Sequence, residues 1–561
     1  MRVASVTELI DKHLILQTSL DQKKTPWKAL WQDITDYVLP RRSWWDIGSM
    51  PGQKPDTIRY DDTAIDALQT MVDGFQGNLI SSAFPWLRLV PQNPQLTDLP
   101  GIADYLEVLA DVILSYYERT NLYEAVNAFI ADYASIGTAV MLVDDSVSAG
   151  RIVFSTRHLK ECAIAENASE EVNVLYRRFR LSNQQIVENW PETVTAEQKE
   201  MARVSPYAEH DIIHAAFPSD SIIYPTLREP RTPYTAEYID PVYRVHLFEG
   251  GYESFPYLVA RWRKNTDEVY GRSPAADAIS SVLRSNQVAK GLLQAAQFAS
   301  DPMMNVPDGL KGKDELVPGG RNYSARPDEI ITAVDMGKNY PITRDQIEDI
   351  RNQIRDIFRS RMFALLQALE AQKAQTATWV NKVASEQAIL LGPVVGRFSN
   401  EFLLPLVRRT NQILSRMRAL PPPPPMVAGV GIPVKLELMG PLAQAQKRYH
   451  QSQGVQAGME FLAGLAQLNP DALDNADFDE LARIGLDSMG VPQRIIRDTD
   501  QVAAVRKAKA EAAAKQQQAE AAAAQQQTVA QNADRLNQPV KPGTMLERVT
   551  RGMAQTAGGG R

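Results

Sequence analysis

The sequence predicts an α+β protein, and three features of its 561 residues carry that reading. Apolar residues near the N-terminus repeat at helical spacing. Residues 150–265 alternate in short stretches rich in aromatics and punctuated by Pro and Gly. Beyond residue 271, two long amphipathic segments flank a polar excursion. This length suggests three or four domains, with ample buried core.

Taken in order, Trp27, Leu30, Trp31, Ile34 and Val38 form one apolar stripe of a first helix, ended by Pro40. Arg41, Arg42, Trp44 and Trp45 follow in a loop. A second helix begins near Asp62 and runs through Ala67, Met71 and Phe75, and Ser81 to Leu89 reads as a turn entering a strand. Helical pattern resumes from Ile102 to about Ile136 and breaks at Gly137, and Thr138 to Val143 is strand-like. Val172 to Phe179, Ile212 to Phe217, Tyr243 to Phe248 and Tyr257 to Trp262 read as strands. Ser273-Pro274 opens a helix, with serine as cap and proline in the first turn, that continues to about Ser300. Residues 301–341 are rich in Pro, Gly and charge. From Thr343 a narrow stripe of Ile347, Ile350, Ile354 and Ile357 marks a second long helix, so the pair should be antiparallel and carry a small tip. Residues 367–378 lose the stripe. It resumes from Trp379 to Met417, with a kink expected at Gly392-Pro393. Pro421 to Pro425 form a stiff spacer, and residues 441–498 are again helical. Val502 to Arg535 holds 14 Ala and 7 Gln in 34 positions, a helix-prone tract, and the tail after Pro539 should be disordered.

Composition narrows the function. The single cysteine, Cys162, excludes a disulfide framework and multi-cysteine metal sites. The N-terminus lacks a signal-peptide core, and no apolar run approaches the roughly 18 residues of a membrane span, so a soluble protein is expected. A net charge of −7 argues against tight duplex binding through a basic surface.

Chemical motifs are few. His210-Asp211-Ile212-Ile213-His214 mimics a helical zinc pair of a metal-dependent hydrolase. Its apolar neighbours suit a strand, however, where the two histidines would stand about 13 Å apart at roughly 3.3 Å per residue. Asp471, Asp474, Asp477, Asp479 and Glu480 lack the glycine and glutamate spacing of a calcium loop, and Asp477 with Glu480 reads as a capping box. Gly309-Leu310-Lys311-Gly312-Lys313 is too short for a phosphate loop. No catalytic seat is visible and no cofactor is implied. Trp27 and Trp31 suit a core, and Trp44 and Trp45 a subunit interface.

Several strings nevertheless occur in a specific order. They are Trp27 with Tyr37-Val38-Leu39-Pro40-Arg41-Arg42, Tyr60-Asp61-Asp62-Thr63-Ala64, Ser82-Ala83-Phe84-Pro85-Trp86, Tyr270-Gly271-Arg272-Ser273-Pro274 and Glu315-Leu316-Val317-Pro318-Gly319-Gly320. The longest is Thr376-Ala377-Thr378-Trp379-Val380 with Glu386, Leu391-Gly392-Pro393, Arg397 and Glu401 to Leu406. Over residues 25–420 this order resembles the portal (head-to-tail connector) proteins of short-tailed bacteriophages, the podoviruses. The family usually has Glu where Trp379 stands, and an Arg near Lys382 or Val383.

The resemblance implies a ring of twelve subunits at one capsid vertex, conducting double-stranded DNA during packaging and ejection and joining head to tail. Its parts would be an α+β wing (1–270), stem helices (271–300 and 342–366) and a clip (301–341). A channel loop (367–378), a kinked wing helix with Pro-rich connector (379–440) and a helical crown (441–499) would follow. The Ala/Gln-rich helix (500–536), expected to project toward the capsid interior, and a disordered tail (537–561) complete the chain. The channel loop would touch DNA through Gln367, Glu370, Gln372, Lys373, Gln375 and Thr376. The clip would dock the terminase large subunit, and later tail adaptor proteins, through Lys311, Lys313, Asp314 and Glu315. Scaffold and major capsid protein are further implied partners, with assembly in the host cytoplasm. A different virion ring or adaptor protein is the alternative.

Overall fold

A computed structural model describes residues 5–42, 57–93, 101–146, 151–221, 223–224, 226, 232–308, 311–312, 321, 323, 326–327, 330–333, 341–363, 391–424, 434–440, 477, 479, 483, 499–536, 545 and 548–549. The chain divides into two units, Met1–Gly490 and Val491–Arg561.

Helix α1 (Val6–Tyr37) begins well before the tryptophan stripe. A capping box starts it: Ser5 Oγ accepts from the Glu8 amide, and the Glu8 carboxylate accepts from the Ser5 amide. Farther along, the buried Lys24 ammonium donates to the carbonyls of Leu159, Lys160 and Cys162. Helix α2 (Thr63–Leu79) leads to strand β1 (Leu87–Pro91). The expected single helix from Ile102 is two, α3 (Ile102–Glu118) and α4 (Leu122–Ser135). Asn121 sits at the break. Its side chain exchanges two hydrogen bonds with the Phe154 backbone, at 2.7 and 3.1 Å, so it serves a neighbouring strand rather than a continuous helix.

The β-rich region makes two sheets. Strand β2 (Thr138–Ser146) is central to a three-stranded sheet of order β3-β2-β9, with β3 (Arg151–Arg157) and β9 (Tyr257–Arg261). Strands β4 (Cys162–Glu166), β5 (Val172–Ser182), β6 (Glu209–Pro218), β7 (Tyr234–Asp240) and β8 (Val245–Tyr252) form an antiparallel five-stranded meander. Short helices α5 (Asn183–Asn189) and α6 (Ala196–Val204) interrupt it between β5 and β6. Both faces of the meander are covered, as the period of two requires. Ile213, Phe217 and Ile239 pack with Leu9 and Ile10 of α1, whereas Ile212 and Leu247 pack with Ile186 and Val194 on the other side.

Helix α7 (Pro274–Ser300) and helix α8 (Pro341–Ile357) pack together, Arg284 on one donating to Gln353 on the other at 3.0 Å. Between them β10 (Met304–Asn305) pairs antiparallel with β11 (Thr332–Ala333), so the excursion leaves and returns side by side. Helix α9 (391–398) holds Gly392-Pro393 in its first turn, and the residues before it, which a kink there would involve, lie outside the described residues. An irregularity lies downstream, in a π turn over Ser399–Leu403 that leads into α10 (Leu404–Arg416). Pro405 accounts for it: with no amide to give the Glu401 carbonyl, and a ring that crowds it, the preceding turn widens. Strand β12 (Val434–Leu438), unforeseen from sequence, pairs with β1 in register Leu87↔Leu438. The main core joins α2, α3, α4, α10 and the three-stranded sheet, with Phe75, Phe129, Tyr133, Trp262, Phe398 and Phe402 in ring contact at its centre.

In the second unit, α11 (Thr499–Leu536) is a single helix. Over residues 503–520 every side chain is exposed. Among the described residues no helix is long and apolar enough to cross a membrane.

Candidate functional site: the helix pair, its tip and its base

The base of the helix pair is built by the Tyr60-Asp61-Asp62-Thr63 string. Asn286 of α7 accepts from the Tyr60 and Asp61 amides at 2.8 and 3.3 Å. The buried Asp61 carboxylate accepts from Ser285 of α7, from the Thr63 hydroxyl at 2.6 Å and from Arg351 of α8 at 3.2 Å. One side chain thus clamps both helices. Burial alone would raise the Asp61 carboxyl; the hydrogen bonds from Ser285 and Thr63, with the Arg351 guanidinium, outweigh it and hold the group below the ordinary carboxylate range. A depressed acid stabilises the fold above the unfolded value of 3.8 and loses that contribution as pH falls through its folded value. Asp61→Asn is therefore expected to cost about 1–3 kcal/mol near neutrality. In denaturation series at stepped pH, the gap to the parent should narrow below pH 3.8; a gap that widens there would contradict the clamp.

The Tyr270-Gly271-Arg272-Ser273-Pro274 string positions the start of α7. Gly271 and Gly137 cross so closely that a Cβ on Gly271 would meet the Gly137 carbonyl oxygen at 2.3 Å, and Gly137 itself has φ +90°. The Gly271 amide donates to Thr138 Oγ1 at 2.8 Å, and the Tyr270 ring stands edge-on to Trp31. Ser273 caps α7 by accepting from Ala276, and donates its hydroxyl to the Ser135 carbonyl. Beyond this anchored start the burial of α7 fades. Its buried residues end at Asn286, and Leu293 and Phe298 remain 49% and 44% exposed.

Glu401, inside the π turn, meets Arg261 at the end of β9. The Arg261 guanidinium, 3% exposed, donates to Glu401 at 3.0 Å, to Glu166 at 2.7 Å and to the Glu170 carbonyl at 2.7 Å. The Arg261 amide donates to Glu401 as well, at 2.7 Å. The widened turn is what aims Glu401 at this hub, joining the α9–α10 segment to both sheets.

Of the expected docking residues, Lys311 lies in an exposed turn with Gly312, its amide donating to the Asp308 carbonyl at 3.4 Å. Lys313, Asp314 and Glu315 lie outside the described residues, as do all six residues of the expected DNA loop, Gln367, Glu370, Gln372, Lys373, Gln375 and Thr376. Trp44 and Trp45 are outside them too, whereas Trp31 is core and stacks on Trp27. His210 and His214 stand on β6 and serve different partners, Asp240 at 2.8 Å and the Tyr257 hydroxyl at 2.5 Å. Burial pushes the Cys162 thiol up to about 12, which leaves it a poor nucleophile. Asp477 accepts from the Asp479 amide at 2.9 Å, while Glu480 is not among the described residues.

One cluster had no signal in the sequence. Glu237, His246 and Glu249 bring ligand-type atoms within 4.8 Å of one another, and His13 of α1 reaches Glu237 at 3.1 Å. These residues are far apart or irregularly spaced in the chain, and only the sheet register assembles them.

Comparison with known proteins adds a wider frame. A family model described as bacteriophage head to tail connecting protein matches residues 13–496. The chain is 30% identical over 520 residues to the probable portal protein of Bordetella phage BPP-1, covering 90% of this chain and 92% of that protein. It is 27% identical over 508 residues to the portal protein of Salmonella phage epsilon15, covering 88% and 89% respectively. Among solved structures, a chain of the virion of the native gene transfer agent particle is similar at 13% identity and a TM-score of 0.30, covering 72% of this chain and 91% of that one.

Proposed function

Because the chain belongs to the bacteriophage head-to-tail connecting protein family, we propose that twelve copies of it close into a ring at one capsid vertex. The protein is a phage portal, a structural protein of the virion that joins head to tail and conducts DNA. The observation that carries this is identity to portal proteins over nine-tenths of the chain. The helix pair supports it: α7 is anchored at one end and leaves Leu293 and Phe298 uncovered at the other, where a neighbouring copy in a closed head-to-tail ring would cover them.

In this reading α7 and α8 form the stem and residues 301–341 the clip. The clip docks the terminase large subunit during packaging and tail adaptors afterwards, through the exposed turn at Lys311 and the neighbouring Lys313, Asp314 and Glu315. Scaffold and major capsid protein surround the ring, which assembles in the host cytoplasm. The packaging force comes from the docked motor. The net charge of −7 suits a conduit, since a strongly basic bore would hold phosphates through counterion release and resist sliding.

Residues 367–378 form the loop that meets DNA at the channel wall. Their mixed charge and short amides give weak contacts that do not depend on base sequence. Lys373 is the sole cation of that segment, so a ring presents one circle of positive charge. Lys373→Glu should assemble normally but retain packaged DNA less well, or stall packaging. Virions of this variant that fill and hold full-length genomes like the parent would remove the loop from the mechanism.

A further inference from the structure

We propose that Glu237, His246 and Glu249 bind one divalent transition-metal ion of the zinc class, which fastens α1 to the five-stranded sheet. The argument begins with strand register. Glu237 of β7 and Glu249 of β8 are directly opposite cross-strand partners. His246 stands three residues before Glu249, which in a regular strand would send it to the opposite face. A bulge corrects this: Tyr238 pairs with Phe248 and Ile239 with His246, leaving Leu247 unpaired. The extra residue turns His246 onto the face that Glu237 and Glu249 share, the re-aiming for which bulges recur beside functional sites. Leu247 itself packs into the core on the far face.

The geometry is that of a ligand set. One ligand-type atom from each of the three residues lies within 4.8 Å of the other two, and His246 Nε2 is 3.9 Å from Glu237 Oε2. Four ligands at 2.0–2.1 Å in a tetrahedron stand about 3.3 Å apart, so side-chain rotation of roughly 1 Å closes the site. Glu237 is 0% exposed, and its Oε1 has no hydrogen-bond partner. A fully buried carboxylate with an unsatisfied oxygen is expensive unless it is paired or coordinates a metal.

A second layer is in place as well. His13 of α1 lies with Nε2 at 3.1 Å from Glu237 Oε2 and Nδ1 at 2.7 Å from the Tyr176 hydroxyl. His13 thus stands between the Tyr176 hydroxyl and the Glu237 carboxylate. Outer partners of this kind orient coordinating carboxylates. One imidazole with two carboxylates suits zinc or manganese better than the all-oxygen sites of calcium and magnesium or thiolate sites. Because His13 belongs to α1 and the three ligands to the sheet, the ion would act structurally.

The test uses the full chain, stripped with chelator and titrated with zinc sulfate by calorimetry, with parallel thermal melts. The parent should take up one zinc per chain and melt at a higher temperature with zinc than without. Glu249→Gln should bind zinc at least about tenfold more weakly, and zinc should raise its melting temperature less than it raises that of the parent. His246→Gln gives a second reading of affinity should the first variant fold poorly, and His210→Gln should bind like the parent. Failure of the parent to take up zinc, an unchanged affinity in Glu249→Gln or His246→Gln, or a loss confined to His210→Gln would each overturn the assignment.

Discussion

Replacing Arg261 by alanine is expected to lower stability by about 3 kcal/mol, among the largest effects of any single substitution outside the aromatic core. The guanidinium is almost fully buried and satisfies Glu401, Glu166 and the Glu170 carbonyl together. Removing it strands Glu401 at a sheet–helix junction, while Glu166 keeps Lys264 at 3.0 Å, and breaking a buried pair by deleting one partner typically costs about 3–5 kcal/mol. The lower end applies because Glu166 and Glu401 keep 18% and 20% of their surface in contact with water. Lysine at this position keeps the charge but not the fork, so Arg261→Lys should recover only part of the loss. Arg261→Ala combined with Glu401→Gln should cost less than the two single changes added, since the second removes a charge that the first has stranded. Chemical denaturation at fixed protein concentration measures all three; additive effects would show that the hub does not act as a unit.

The sequence makes the helices legible wherever an apolar stripe survives. The stripe Ile347, Ile350 and Ile354 is buried in α8, and Ser273-Pro274 opens α7. The start of α1 was missed, although Ser5 and Glu8 have capping-box spacing, because the stretch from Gln17 to Thr25, before the Trp27 stripe, is mostly polar. Gln17, which donates to Asp21 of the same helix, and Lys24, which donates to carbonyls near Cys162, are buried there, and no stripe reveals them. The break between α3 and α4 was hidden because Asn121 serves Phe154, a contact 33 residues away in sequence. The π turn over Ser399–Leu403 was not foreseen, although Pro405, whose ring acts one turn upstream, produces it. The strand reading of His210 to His214 came from the alternation of apolar neighbours, and β6 follows it. The Arg261 hub and the His13, Glu237, His246 and Glu249 cluster were invisible for one reason. Charged residues scattered over more than a hundred positions carry no local pattern, and a one-residue bulge cannot be read from the chain.

Ring closure is the central claim, and the isolated subunit carries a reason for it. Helix α7 is buried along its first half and only partly covered along its second, with Leu293 and Phe298 exposed, and Met303 and Met304 lie exposed just beyond. Apolar side chains gathered on one projecting segment mark a surface made for a partner. When that partner is an identical copy meeting it head-to-tail, the assembly closes if the rotation between copies divides a full turn. Negative-stain electron microscopy of the purified full-length chain tests this most directly. The expected result is a field of rings with a central hole, twelvefold in end-on averages. Single subunits or dimers at every protein concentration, with no ring in any view, would contradict it.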